Sequence, residues 1–509
     1  MIQLRALVVP VVLAAALGTG TGLRAQDPDA SRDTATPIKH VVVIFQENCS
    51  FDHYFATYPH AANLPGETPF HPKPGTPSVN GLSPALLTLN PNLANPFRFP
   101  PSHAFTGGNT NGMKLEQSAY DGGLMDKFVQ FTGTQDPGFP ATDVMGHFDG
   151  NTVTALWNYA QHFAMSDNHF GTVSGATILG HINLVSGQTH GARGFNTSNP
   201  SVLLDTLQSS PGTYLLYQGT IVANADSAHD HWATKKQRVE MTGKNVGDLL
   251  NAKGVSWGWF SGSFRDKTAT HPDNLGVPTA DYGINREPFQ LYASTANPDH
   301  VAPASVLEVG HDGPANHQYD LTDFWAAAAI HRMPAVSFFK APNFETGHPG
   351  TDSTPLEEQT FLVQTLNQLQ ALPEWKDTAV IIGWDDSDGW YDHQMPPIVN
   401  QSSSPLDALP GLGADPATIL GGYQARAGYG PRLPLLVISP FARRNYVDHR
   451  ITDQSSILRF IEDNWSLGRI GDFSFDARAG SLEGMFDFRR GPRRDRLILD
   501  PSTGAVVEE

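Results

Sequence analysis

The chain has 509 residues, enough for one large domain or a core domain with sizeable insertions, so burying a core is no obstacle. Charged residues make up only 17% of it, while 48 glycines and 39 prolines punctuate it, which excludes a coiled coil and predicts a loop-rich enzyme. The net charge of −18 predicts no nucleic-acid partner, because an acidic surface repels a phosphate backbone; one phosphate in a local positive or metal-bearing pocket stays compatible with it.

Residues 1–25 read as a signal peptide: Arg5 at a cationic start, an apolar stretch from Ala6 to Leu17, and small residues leading to Ala25. Pro10 and the short apolar length argue against a spanning helix, and no later stretch approaches the roughly 20 apolar residues a span needs. The expected product is secreted or periplasmic, has no transmembrane segment, and carries about −20 once Arg5 and Arg24 are gone. Residues 26–37 are polar and read as a disordered leader. Cys49 is the single cysteine, so no intrachain disulfide forms.

A catalytic domain is expected over residues 38–488. Val41-Val42-Val43-Ile44-Phe45 is a β-branched apolar run of the kind buried on both faces of a parallel sheet. Ala335–Phe339, Thr378–Ile382 and Leu433–Ile438 repeat the pattern. Helical spacing falls between them, at residues 246–252 and 356–369. Strands alternating with helices predict an α/β fold, with a mostly parallel central sheet flanked by helices. Residues 65–101 and 262–314 lack periodicity and read as long loop insertions, and residues 489–509 as a basic then polar tail whose plain reading is a solvated surface segment.

Open α/β sheets bind ligands at the carboxyl ends of their strands. Phe45 is followed by Gln46-Glu47-Asn48, and Ile382-Gly383-Trp384 by Asp385-Asp386-Ser387-Asp388. Carboxylates with an amide oxygen are hard ligands suited to a divalent cation, although acidic pairs in turns also serve as caps. Ser174-Gly175-Ala176-Thr177 reads as a loop entering a helix; Thr177 is there either a metal-activated nucleophile beside phosphate-favouring N–H groups or an ordinary cap. His348, in a Gly/Pro-flanked loop after a strand, suits phosphate or leaving-group chemistry. His103 and His317 occupy similar settings, His181 fits core packing as well as chemistry, and His229-Asp230-His231 reads as structural or surface.

These residues resemble a known family, the bacterial phosphoesterases that include non-haemolytic-type phospholipases C and the respiratory-burst-inhibiting type of acid phosphatase, within the alkaline-phosphatase superfamily. The likeness spans nearly the whole mature chain. It is carried by Gln46-Glu47-Asn48-Cys49-Ser50-Phe51-Asp52-His53, Phe163-Ala164-Met165-Ser166-Asp167-Asn168, Gly180-His181-Ile182-Asn183-Leu184, the stretch from Asp385 to His393, and Pro431-Arg432-Leu433-Pro434 through Ile438-Ser439-Pro440. The resemblance implies a divalent metal, of a kind it does not specify, held by Glu47, Asn48, Thr177, Asp385 and Asp386. It also implies a Thr177 nucleophile with a phosphothreonine intermediate, and Asn48, His103 and His348 at the substrate phosphate. The implied substrate is a small phosphate ester, as for an acid phosphatase, or a phospholipid head group, as for a phospholipase C. In the second case an aromatic choline cage is expected, with Trp157, Trp232 and Trp259 as candidates that also suit core packing. A non-catalytic phosphate- or metal-binding protein on the same scaffold is a further alternative. Departures are Cys49 in place of an arginine, Ala176 and Leu179 in place of prolines, and Asn285-Arg286 in place of two histidines. Arg286 then serves as a fixed phosphate-binding cation that cannot act as a general acid near neutral pH.

Overall fold

The computed structural model describes residues 33–350, 352–402, 404–409 and 427–509. The expected signal peptide lies outside them. Nine strands form the central sheet: β1 (His40–Gln46), β2 (Ala164–Phe170), β3 (Trp257–Ser261), β4 (Gln318–Asp320), β5 (Val336–Lys340), β6 (Thr378–Trp384), β7 (Arg432–Ile438), β8 (Tyr446–Asp448) and β9 (Thr452–Asp453). Their spatial order is β4-β3-β5-β1-β6-β7-β2-β8, with β9 also beside β2.

β1 is buried along its whole length and pairs in parallel with β5 on one side and β6 on the other. Its β-branched side chains fill both faces, as a continuous apolar run requires. β7 runs antiparallel to both of its neighbours, β6 and β2, and every other pairing in the sheet is parallel. The α/β class and the mostly parallel sheet are therefore as expected.

Six helices matter for the site: α1 (Phe51–Phe55), α2 (Met113–Tyr120), α3 (Thr177–Ser186), α4 (Val246–Lys253), α5 (Pro355–Ala371) and α6 (Gln454–Trp465). α4 starts on an Asn245/Asp248 capping box and stops at Gly254 in the left-handed region; α5 starts on a Thr354/Glu357 box with proline in its first turn. The 65–101 insertion holds one short helix and a two-residue strand paired with Gly146–His147, and the 262–314 insertion holds a small hairpin, Thr270–Pro272 against Pro278–Ala280.

Both ends depart from expectation where they are described. Thr36 donates its hydroxyl to Asn464 at 2.7 Å, and the Ala35 N–H donates to the Asn464 carbonyl, so this part of the leader is tied to the end of α6. The C-terminal stretch folds back: Leu497 and Leu499 are buried, their carbonyls accept from Gln370 and Asn367 of α5, and Ile498–Leu499 pairs with Val506–Glu508. Leu497 and Leu499, two positions apart in extended chain, place both side chains on one face, which is reason enough for the tail to dock.

Candidate active site

β1 and β6 run side by side and in register to their last residues, Gln46 opposite Trp384. The loops that leave the two strands therefore meet. The Asp385 N–H donates to the Gln46 carbonyl, and the Cys49 N–H to the Asp386 carbonyl. Asn48 takes a left-handed φ of 61°, which asparagine tolerates better than most residues. In that conformation its N–H donates to Asp385 Oδ1 (3.0 Å) and its amide donates to Asp388 Oδ1 (3.1 Å). The amide oxygen Oδ1 of Asn48 is buried with no hydrogen-bond partner among the described residues.

Glu47 is fully buried. Its Oε1 receives two cations, Lys340 Nζ from the end of β5 and Arg286 Nε at 3.1 Å, while Oε2 has no hydrogen-bond partner among the described residues. Burial alone would raise this carboxyl, but Arg286 and Lys340 outweigh it and hold Glu47 well below the usual carboxylate range. Asp385 goes the other way, pushed up by burial and then by Glu47 and Asp386. Its Oδ1 accepts the N–H groups of Asn48 and Asp386, and its Oδ2 has no hydrogen-bond partner among the described residues.

α3 arrives over these loops. Gly175 takes φ +117°, and Gly180 packs onto the main chain of Asp385. Thr177 is the first helical residue, and Ala176 stands at the cap position without a side-chain hydrogen bond, so Thr177 is not the cap. One turn on, His181 is fully buried, with Nδ1 2.9 Å from the Thr177 carbonyl and its ring edge-on to Phe45. Nδ1 donates there, which leaves Nε2 as a buried acceptor with no partner among the described residues. Burial lowers the imidazole to about 3, so it is neutral. Glu47, His181 and Asp385 each offer one ligand atom, all within 4.8 Å of one another.

These free acceptors fit a divalent cation: carboxylate and amide oxygens suit a hard ion, and imidazole adds nitrogen. Charge supports the fit. Glu47, Asp385, Asp386, Asp388 and Glu116 are all buried here, against Lys340 and Arg286.

Asp386 is turned away from the Glu47 group. It accepts from the Asn111 amide (3.1 and 3.2 Å) and from the Asp388 N–H, and burial with Asp388 and Glu116 nearby raises its carboxyl. Glu116 of α2, pushed up to about 8 by burial, accepts from the Gly175 N–H and the Ser387 hydroxyl, tying the helix-entry loop to the acidic loop. Arg286 is buried and committed: besides Glu47 it reaches Asp352 (3.1 Å) and Asn343. His348 lies within the field of Glu47 and Arg286, and burial is the main cause of its lowered pKa. With Phe105, Phe139, Pro349 and Asp352 it lines a cavity of about 360 Å³.

His103 stands apart from this group. The Pro100-Pro101 pair sets a 3-10 turn that displays its ring outward, stacked on Phe99 at 4.9 Å. The three tryptophans form no cage: Trp157 packs on Phe55, Tyr58 and Phe70, Trp259 on Phe338, and Trp232 on His300. His229, Asp230 and His231 also diverge, toward Glu240, His300 and Asp299 respectively, and His317 stacks on Trp257.

Lys340 and Asn111 are the residues that sequence reasoning passes over. A lysine ending an apolar run reads as the point where a strand meets solvent; here it ends inside the protein. Arg432, quoted in a motif but given no role from sequence, is fully buried beneath the site and joins three other motifs: it donates to Asp52 (3.0 Å), Asp392 (3.1 Å) and the Asn80 and Asp167 carbonyls, while Asp52 also accepts from His393.

The sequence model of the Phosphoesterase family matches residues 38–468. The chain belongs to the Phosphoesterase family. Among relatives of this phosphoesterase-family chain, the non-hemolytic phospholipase C of Burkholderia pseudomallei (strain K96243) is 24% identical over 452 residues, covering 85% of this chain and 56% of the relative. The chain thus spans little more than half that protein's length. Phospholipase C A of Mycobacterium tuberculosis (strain CDC 1551 / Oshkosh) is 24% identical over 493 residues, 92% of this chain and 81% of the relative. A solved Vibrio parahaemolyticus protein, titled as one in the alkaline phosphatase superfamily, aligns at a TM-score of 0.29 and 12% identity over 85% of this chain and 87% of its own. Family membership agrees with the resemblance that the sequence motifs carry.

Proposed function

We propose that this phosphoesterase-family chain is an exported, metal-dependent hydrolase of phosphoric esters, with Thr177 as nucleophile. One observation carries the reading: strand-end and helix segments bring ligand atoms of Glu47, His181 and Asp385 within 4.8 Å of one another, with Asn48 next to Glu47 in the chain and Thr177 one turn before His181 at the start of its helix. Glu47, Asn48 and Asp385 would hold the cation, with His181 beside them and Asp386 close behind. When bound, the cation supplies positive charge that lowers the pKa of a neighbouring hydroxyl and offsets charge on phosphoryl oxygens.

The chain's own groups do the rest. The Thr177 oxygen forms a bond to phosphorus as the bond to the leaving alcohol oxygen breaks, giving a phosphothreonine; water then attacks phosphorus and releases phosphate and Thr177. His348 Nδ1 lies 2.6 Å from the Pro349 carbonyl, so Nδ1 carries the proton and Nε2 is free to accept one. That suits His348 to taking the proton of the attacking Thr177 hydroxyl and returning it to the Thr177 oxygen when water displaces it; water protonates the leaving alcohol, and the hydroxide so formed takes up the proton of the attacking water. Arg286 and Lys340, fixed by Glu47, contribute positive charge near the phosphoryl oxygens.

The substrate we favour is a small phosphomonoester, because the cavity beside His348 measures only about 360 Å³, at the small end of ligand sites. Cleavage of phosphatidylcholine-type lipids is the second reading, favoured by relatives that bear the name phospholipase C. Purified protein assayed with and without chelator on p-nitrophenyl phosphate, p-nitrophenylphosphorylcholine and phosphatidylcholine vesicles separates the two. Thr177→Ala should abolish turnover of whichever substrate is used; full activity in that variant would sink the nucleophile assignment. Metal binding without any turnover would instead favour a binding protein.

A further inference from the structure

At the opposite end of the sheet from this site lies a feature that the hydrolytic reading does not use. β7 is antiparallel, so its last residues stand where β6 begins: Ile438 pairs with Val380, and the Ser439 hydroxyl donates to the carbonyl of Thr378, the first residue of β6. Asp385 lies just past the other end of β6, roughly 20 Å away for seven residues at about 3.3 Å each. Pro440 and Phe441, just past β7, form one wall of a groove of about 350 Å³, and the other lining includes Arg443, Arg444, Arg490 and Arg493.

The neighbourhood is basic in a chain whose net charge is −18. Residues 487–496 hold Arg489, Arg490, Arg493, Arg494 and Arg496 against Asp487 and Asp495 only. Those two carboxylates are shared: Asp487 serves Arg489 (3.1 Å) and Arg490 (3.4 Å), and Asp495 serves Arg444 and Arg493 (3.7 Å). Arg494 and Arg496 are exposed and make no carboxylate ion pair among the described residues. Arg493 is held in place, its guanidinium over Phe163 at 5.0 Å and its Nη atoms donating to the His162 and Ser439 carbonyls, and its Nε is buried with no partner among the described residues. Burial is the main reason that its pKa falls to about 10.

Clustered guanidinium groups with too few carboxylates bind phosphate, and they do so bidentately. A single small anion needs one or two of them. Here they extend along an exposed, irregular stretch, more guanidinium groups than one small anion can occupy and suited to a partner that carries many phosphates. The acidic remainder of the chain is repelled by the same partner and so fixes the orientation. We propose that this arginine-lined groove docks the protein on an anionic phospholipid surface, with the catalytic end of the sheet facing away from it. The docking is independent of the hydrolytic reading. Its consequence for substrate rests on that reading: a site turned away from the bilayer meets soluble phosphate esters.

Co-sedimentation of the full chain with phosphatidylcholine vesicles, and with vesicles in which part of the lipid is phosphatidylglycerol, tests this. Binding should appear on the anionic vesicles only and vanish at high salt. In the triple variant Arg490→Gln/Arg494→Gln/Arg496→Gln it should weaken roughly a hundredfold, in line with the surface potential felt by each charge. Turnover of p-nitrophenyl phosphate, measured separately, should be the same in wild type and variant, which shows that the variant is folded. Absent binding, equal binding by the two proteins, or equal binding to both vesicle types overturns the proposal. So does displacement by inorganic phosphate where sodium chloride of matched ionic strength has no effect, since that marks a site for one free anion.

Discussion

Gly180 rests directly on the main chain of Asp385: a Cβ at position 180 would come 2.1 Å from the Asp385 carbonyl oxygen and 2.6 Å from its carbon. Backbone cannot give way as a flexible side chain can. Gly180→Ala must therefore displace α3 from the acidic loop, taking Thr177 and His181 with it. We expect kcat/KM to fall by about a hundredfold, since a shift of about 1 Å suffices for that, with a stability loss of about 1–3 kcal/mol from overpacking. Steady-state kinetics beside a thermal melt check both; wild-type kinetics in the variant would mean that the helix tolerates the shift.

Lys340 and Arg286 share one oxygen of Glu47, so removing either leaves a buried carboxylate short of charge. Lys340→Met should cost about 3–5 kcal/mol in chelator, the range for breaking a buried pair. A divalent cation should recover most of that loss by replacing the missing ammonium. Urea denaturation of both proteins, with chelator and with metal, reads the difference. If metal stabilises the two equally, Lys340 has no part in balancing Glu47.

Arg432 gathers Asp52, Asp392 and two carbonyls through one fork-shaped group. A lysine offers a point charge and cannot span them. Arg432→Lys and Arg432→Met should both lose about 3 kcal/mol or more, with the catalytic pH profile of the surviving folded protein unchanged. Recovery of wild-type stability by lysine alone would show that charge, rather than the fork, matters.

Stability should fall as pH rises above about 6.5. Away from the site, burial lowers His53 and His169 to about 3 and His147 and His162 to about 4. The unfolded chain takes up those protons near pH 6.5 and the folded one does not, so stability declines as pH falls below that value. Glu358 and Glu462 act in the opposite sense: burial raises them to about 8 and about 9, and they cost stability as pH rises from about 4.5 through those values. Between pH 4.5 and 6.5 the buried histidines, His181 among them, and the raised carboxyls, which also include Glu116 and Glu345, oppose one another; above 6.5 only the carboxyls act. Melts across pH 6.5–9 should show stability falling as pH rises, and a flat or rising profile would contradict these burial effects.

How far the sequence could be read depended on whether chemistry and periodicity coincided. The runs at β1, β5, β6 and β7 are apolar on both faces and announce themselves, as does the helical spacing of α4 and α5. β2 does not: Ser166, Asp167 and Asn168 interrupt it, because these motif residues serve the network around Arg432 and the loop to β8 rather than the core. Glu47, Asn48 and Asp385 were legible as polar residues ending apolar strands. Lys340 obeys the same rule, but a terminal lysine usually points to solvent, and only the third dimension brings Glu47 beside it. His103 is exposed at a 3-10 turn set by its proline pair and stacked on Phe99, a placement that its flanking residues do not announce. Arg286 was legible as a cation, though its three partners were not.

Cys49 sits in the core with its Sγ donating to the Ser50 carbonyl (3.1 Å), and burial pushes its thiol well above the ordinary range. Because it is the chain's only thiol, a reagent such as iodoacetamide has one target, hidden in the turn between β1 and α1 and hydrogen-bonded through its N–H to the acidic loop. Its labelling rate becomes a clock for the opening of this region, which a bound cation should slow.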